Sequence, residues 1–207
     1  MAGLAVGSVQ AQSIPTYRPP VMPPPMPGQP GGPPMHFNYN QAPDARRADG
    51  KYQLANGTWE EGRLIFDGKK LTVKKPTGEK NLTLQAEQLL QVAFPQDTFA
   101  VVDGFINPYI DERIAADFAH REFRGGGFEL FNYYHAAAKP VLLLRHDGET
   151  ALVPRKKKEL QPFLAQLVAD NAELVKQVNA GAFGYDRVAD LLKQYAAQKT
   201  GRAAKTQ

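Results

Sequence analysis

The chain contains no cysteine among its 207 residues. Disulfides, thiolate metal sites and thiol nucleophiles are therefore absent. Serine is nearly missing too. Ser8 and Ser13 are the only two, and no Gly-x-Ser-x-Gly elbow exists, so the chain offers no hydroxyl on the sharp strand-to-helix turn that a serine hydrolase needs. No apolar run approaches the about 20 residues of a membrane-spanning helix. The histidines are few: His36, His120, His135 and His146. None is spaced i, i+4 from another and none lies in an H-E-x-x-H pattern, so a metal site would have to be assembled from distant strands, for instance His120 and His135 with Glu122 or Glu129. The simpler reading of these residues is polar positions on a hairpin, and neither metal nor cofactor is expected.

Charge of either sign is modest. The net charge of +4 fits weak attraction to an anionic surface, and with no nucleic-acid-reading motif beside it no nucleic-acid partner is expected. A length of 207 residues suits one domain with a smaller appended part.

What the chain does have begins with an apolar, small-residue stretch, Leu4 to Ala11, ending with Val9 and Ala11 at the spacing of a signal cleavage site. No Lys or Arg precedes Arg18, so this is the back half of an export signal, a remnant over 1–11; a disordered Ala-rich start is the alternative. Residues 12–49 read as a Pro-rich linker. Pro19-Pro20, Pro23-Pro24-Pro25 and Pro33-Pro34 remove backbone donors and fix φ, which suits an extended stalk. A docking peptide for an aromatic groove is the other use of such a segment.

Residues 50–154 read as a β-rich domain. Short alternating runs are punctuated by Asn56-Gly57, Asp67-Gly68 and Pro76-Thr77-Gly78, pairs and triplets that favour tight hairpins. Leu89 to Phe94 is apolar on both sides and predicts a strand near the middle of a sheet, answered antiparallel by Phe99–Val102. Ile110, Ile114 and Phe118 recur every four residues, as on a helix, yet the segment from Ala116 to Phe123 also reads as a strand. It would be hairpinned through Gly125-Gly126-Gly127 to Phe128–Tyr134. Val141–Arg145 and Thr150–Val153 make a last hairpin around Asp147-Gly148. Trp59, Tyr133 and Tyr134 read as core rather than as a ligand platform.

From Lys157 the period changes. Leu160, Phe163, Leu164, Leu167 and Val168 form one helical stripe, with Pro162 placed in the first turns. Asp170-Asn171 offers a break and a new N-cap, Gly181 and Gly184 a stop, and Asp186 a third start. The helical part spans 155–198, followed by a frayed basic tail, 199–207. The expected class is α+β: an antiparallel meander or small open barrel of short strands, then C-terminal helices packed on the sheet.

This order of elements resembles small exported proteins of unknown function in Bacteroidota. The likeness lies in the phrase Tyr52 to Gly62, the strand Phe128–Tyr134, the run Val153 to Lys158, and the tail from Gly181-Ala182-Phe183-Gly184-Tyr185 through Tyr195. It covers 50–195. The chain departs from it in the Pro-rich stalk and the incomplete signal. The resemblance implies a compartment, periplasm or cell surface, and a fold type. It brings no catalytic residue.

The chemistry that remains is thin. Glu60-Glu61 and Asp111-Glu112 are sequence neighbours, which on a strand point to opposite faces. The triple glycine lacks the Lys-Ser/Thr of a phosphate loop and reads as a turn. The one charge run, Arg155-Lys156-Lys157-Lys158, sits where a helix begins, and its amides and side chains would bind an anion if they converge. The leading expectation is a non-enzymatic envelope module that binds a protein, an anionic lipid or a cell-surface polymer. The alternative is a hydrolase-like enzyme whose groups, among them Asp117, Glu122, Glu129 and His135, meet only in the fold. A small SH3-like barrel binding nucleic acid is the third.

Overall fold

The computed structural model describes residues 45–135 and 139–204, with side chains to Thr200. The expected signal remnant and most of the Pro-rich stretch lie outside the described residues. By its contacts the chain divides after Asn38, and everything described belongs to the unit Tyr39–Gln207.

The unit is α+β. Strands β1 (Arg46–Leu54), β2 (Trp59–Phe66), β3 (Lys70–Lys74) and β4 (Leu82–Gln85) lead through a 3-10 turn, Ala86–Gln88, to β5 (Leu89–Ala93) and β6 (Thr98–Val102). A small ribbon of β7 (Ile106–Asn107) and β8 (Glu112–Arg113) follows, then β9 (Asp117–Gly125), β10 (Phe128–Tyr133), β11 (Val141–His146) and β12 (Glu149–Leu152). Helices α1 (Lys157–Leu167), α2 (Ala172–Asn179) and α3 (Val188–Ala204) close the chain. Ten strands form one antiparallel sheet in the order β12-β11-β10-β9-β6-β5-β1-β2-β3-β4. β1 begins at Arg46, ahead of the expected boundary at 50, and α3 continues past Lys199, where a frayed tail was expected.

That order dictates a curl. β4 and β5 are four strand positions apart, which on a flat sheet is about 19 Å. The link from Gln85 to Leu89 reaches only about 14 Å when fully extended. The strands β5-β1-β2-β3-β4 must therefore bend round until β4 nears β5, and the sheet stays open. Tyr52, Leu64, Phe66, Val73 and Phe99 fill the inside of the curl. Gly50 sits where the backbone of β5 comes close: a Cβ there would stand 2.6 Å from the Ala93 carbonyl oxygen.

The second half is a meander whose two faces bury different partners. On one face Phe128, Leu130 and Leu144 meet Leu164 of α1, Leu174 of α2 and Leu191 of α3. On the other, Tyr133, Phe131 and Leu143 lie under the 103–116 segment, with Phe105 edge-on to Tyr133 at 5.0 Å. The four-residue recurrence is not a helix: Ile110 lies in a turn, Ile114 just past β8 and Phe118 in β9, and the strand expected over 116–123 is present as 117–125.

Turn chemistry explains which hairpins are tight. At Gly126-Gly127 and Asp147-Gly148 both central residues have positive φ, giving two-residue loops. Asn56 and Asp67 instead turn their side chains onto following amides, Thr58 at 3.0 Å and Lys69 and Lys70 at 3.0 Å, and their loops are longer. Three packing expectations are corrected. Trp59 is 47% exposed on the outer face of β2, and Leu90 is 43% exposed because the register shift between β1 and β5 pairs Leu89 and Gln91 and leaves Leu90 bulged out between them. Pro162 is the sixth of the eleven residues of α1, not part of its first turn; it is tolerated on the exposed side, opposite Leu160 and Leu164. Asn171 caps α2 by accepting from the Leu174 amide, as the break at Asp170-Asn171 implied.

Candidate anion-binding face

Strand alternation sends every second residue of β1, β2 and β3 outward, away from the curled core. On β1 these are Arg47, Asp49, Lys51 and Gln53. On β2 they include Glu61, Arg63 and Ile65, and on β3 Lys70 and Lys74. The register sets Arg47 opposite Ile65 and Arg63 opposite Lys74. The result is a hollow of about 340 Å³ lined by Arg47, Arg63, Ile65, Lys74 and Lys75.

Four cations thus surround one apolar side chain. Among the described residues none of the four forms an ion pair. Of the nearby carboxylates, Glu61 pairs with Lys51 at 2.6 Å, Glu60 takes the Tyr52 hydroxyl and Asp67 serves its turn, while Asp49 stands opposite Arg63 in register without forming an ion pair with it. Burial first, and then Glu60, push that hydroxyl up to about 12. Like charges directly opposite across antiparallel strands are destabilising, and Arg63 and Lys74 stand in that relation. Residues 46–85 hold nine Lys and Arg against five Asp and Glu, an excess equal to the net charge of the whole chain. Positive charge is therefore concentrated on the curled half.

The run Arg155–Lys158 is arranged differently. The Arg155 guanidinium lies 5.3 Å from the centre of the Tyr185 ring and donates to the Pro140 carbonyl, which makes it a clamp between the helices and the sheet. Lys156 caps α1 and pairs with Glu159 at 3.6 Å. Lys157 and Lys158 open the helix on its exposed side. Arg155 and Lys156 are thus engaged with other groups of the chain.

The candidate acid/base residues are dispersed as well. Asp117 accepts from the Tyr133 hydroxyl at 2.8 Å, and burial, followed by that carboxylate, raises the Tyr133 pKa. Glu129 on the outer face is shared by Arg121, Arg124 and Arg145 at 3.1, 3.5 and 3.3 Å. Glu122 is held on the opposite face by His120 and Asn132. His135 stacks on Tyr109. Among the described residues no group of three metal-ligating side chains gathers. The triple glycine is pressed against α3, with Ala196 only 3.2 Å from where a Gly126 Cβ would stand; it is a turn and not a phosphate cradle.

His120 is the best-connected of the histidines. Its Nε2 meets Asp97 at 3.1 Å and its Nδ1 meets Glu122 at 3.0 Å, so both nitrogens are taken. Asp97 also accepts from Arg46 at 2.6 Å. This cluster links β1, the β5–β6 turn and β9. The Arg46 hydrogen bond holds the Asp97 carboxyl below its ordinary value of 3.8, against a smaller opposing effect of burial. A depressed folded-state pKa gives stability that is full above the unfolded value and lost as pH falls through the folded one. Midpoints of urea unfolding should therefore fall as the pH drops below the ordinary carboxylate range, and Asp97→Asn should make that fall shallower. An equally steep fall in the variant would show that Asp97 does not contribute to it.

Comparison with known proteins finds no matching family, no matching curated protein and no matching solved structure. No helix among the described residues is long and apolar enough to cross a membrane.

Proposed function

We infer that the protein is an exported, non-enzymatic module of the cell envelope that binds an anionic polymer through the outer face of its curled half. The observation that carries this is the group Arg47, Arg63, Lys74 and Lys75, three cations on β1, β2 and β3 and one just past β3, around one hollow and in no ion pair among the described residues. The register holds them together at a cost to the sheet, and a polyanion removes that cost by replacing mutual repulsion with attraction. Three of the candidate acids being taken up in structural pairs supports a binding role over a catalytic one. The apolar small-residue stretch ending at Val9 and Ala11 and the Pro-rich spacer support export.

Binding of dextran sulfate should weaken steeply between low and moderate salt, because phosphate-like or sulfate groups release counterions when neutralised. The double reversal Arg63→Glu/Lys74→Glu should cost about a hundredfold in affinity at low salt, while Lys156→Gln/Lys157→Gln/Lys158→Gln should leave it unchanged. Equal binding by the double reversal would overturn the assignment. So would tighter binding to phosphatidylglycerol vesicles or single-stranded DNA than to the polymer. Recovery of the native protein only from cytosol would overturn the placement in the envelope.

A further inference from the structure

The basic hollow does not end at Arg63. That residue also borders a second, larger hollow of about 630 Å³ over β2, β1 and β5. The composition changes sharply across it. Beyond Arg63 the walls carry Asp49 and Glu61, with Lys51 paired to Glu61, and on the β5 side Ala93, Phe94 and Pro95. The floor is the bare backbone of Gly50 and Gly62, which face each other in register. One hollow thus holds cations alone, and the other is balanced in charge, with apolar and hydrogen-bonding walls side by side.

We propose that the two hollows together bind an acidic saccharide chain in which charged and neutral sugars adjoin. The inference rests on the reading of the basic hollow as a polyanion site and specifies its ligand. An anionic substituent sits among Arg47, Arg63, Lys74 and Lys75. The neighbouring neutral sugar enters the larger hollow, its C–H face against Ala93 and Pro95. Its hydroxyls donate to the Asp49 and Glu61 carboxylates and accept from Lys51. A chain charged at every unit, such as polyphosphate, would bring its next anion against those two carboxylates. An acyl chain would strip water from Asp49, Glu61 and Lys51 and return no hydrogen bond. A saccharide presents apolar faces and hydroxyls on the same ring and so matches both walls.

The test is calorimetric titration of the full chain with a hyaluronan oligosaccharide, in which acidic and neutral sugars alternate, against polyphosphate of matched charge. The saccharide should bind about tenfold tighter. Ala93→Leu, which fills the larger hollow, should abolish that preference and leave polyphosphate binding as it was. Glu61→Gln is an exposed change that keeps the informative sign should Ala93→Leu perturb folding: it should weaken the saccharide and strengthen polyphosphate. Equal or tighter polyphosphate binding by the unaltered protein, or a preference that survives both substitutions, overturns the saccharide assignment and leaves the polyanion site standing. Failure of both probes to bind at low salt overturns the two together.

Discussion

Phe99→Ala is expected to lower stability by about 3–5 kcal/mol, the range for truncating a buried aromatic. Phe99 is fully buried on β6, where the curled half of the sheet passes into the meander. Its ring lies 4.6 Å from that of Phe66 and 6.2 Å from that of Phe94, so it touches both β2 and the end of β5. It stands opposite Val92 and His120 in the ladder and is capped by Arg46, whose guanidinium lies 5.6 Å from the ring centre. Neighbours supplied by four separate segments cannot all collapse onto an alanine, so the cavity persists and its cost adds to the lost transfer energy. Leu90→Ala is the matched control. It is the residue that the register shift between β1 and β5 leaves unpaired and turned to solvent, and its loss should stay within about 0.5 kcal/mol. Urea unfolding of both variants measures this. A Phe99→Ala loss below about 1 kcal/mol, or a Leu90→Ala loss as large, would mean the inward and outward faces of β5 and β6 are wrongly assigned.

The contrast between those two residues also shows what local pattern carries and what it leaves out. Element type was legible wherever periodicity and turn chemistry agreed. Tyr52, Leu71, Val73 and Leu130 fall on buried faces as their alternation implies, and Leu160, Leu164 and Val168 form the buried stripe of α1 with the residue that follows it. The break at Asn171 and the left-handed Gly181 fall where capping rules place them. Leu90 misled because a register shift against β1 makes it a bulge residue, which breaks the alternation between buried Leu89 and buried Val92. Trp59 misled because an aromatic at strand spacing says nothing about which way its face points.

A small open barrel was one of the two arrangements expected, but which strands curl was not legible, because that follows from strand order. A three-residue link reads the same whether its strands pair with each other or bend a sheet around. The candidate site was hidden for the same reason. Arg155 to Lys158 are consecutive and draw attention, whereas Arg47, Arg63, Lys74 and Lys75 are brought together only by the ladders β1–β2 and β2–β3. The available signal was the placement of basic residues at outward positions beside Leu64, Phe66 and Val73, and it becomes a cluster only when register is known. β9 makes the same point within one strand, since His120 faces the curled core and Arg121 the outer surface.

That outer surface yields the second large effect. Arg121, Arg124 and Arg145 share the single carboxylate of Glu129, whose side chain is 18% exposed. Arg121 continues the chain of contacts to Gln91 at 2.9 Å, and Gln91 to Gln53 at 2.8 Å, so the polar row joins the meander to the curled half. Arg121 is the most strained electrostatically. Burial depresses its pKa first, Glu129 opposes this, and Arg124 and Arg145 add to it, while its Nε has no partner among the described residues. Glu129→Ala removes the one group that favours this guanidinium's charge and should cost about 3 kcal/mol, as expected when one member of a largely buried pair is lost. Exposed ion pairs are worth roughly 0–1 kcal/mol, so a loss in that range would mean that solvent screens the row and that it staples nothing. Most of the cost is an orphaned charge, so it should be recoverable. Adding Arg121→Met removes that charge and keeps its packing stem, and the double variant should be more stable than Glu129→Ala alone. A double variant less stable than Glu129→Ala would show that Arg121 holds the two halves through Gln91 more than through Glu129.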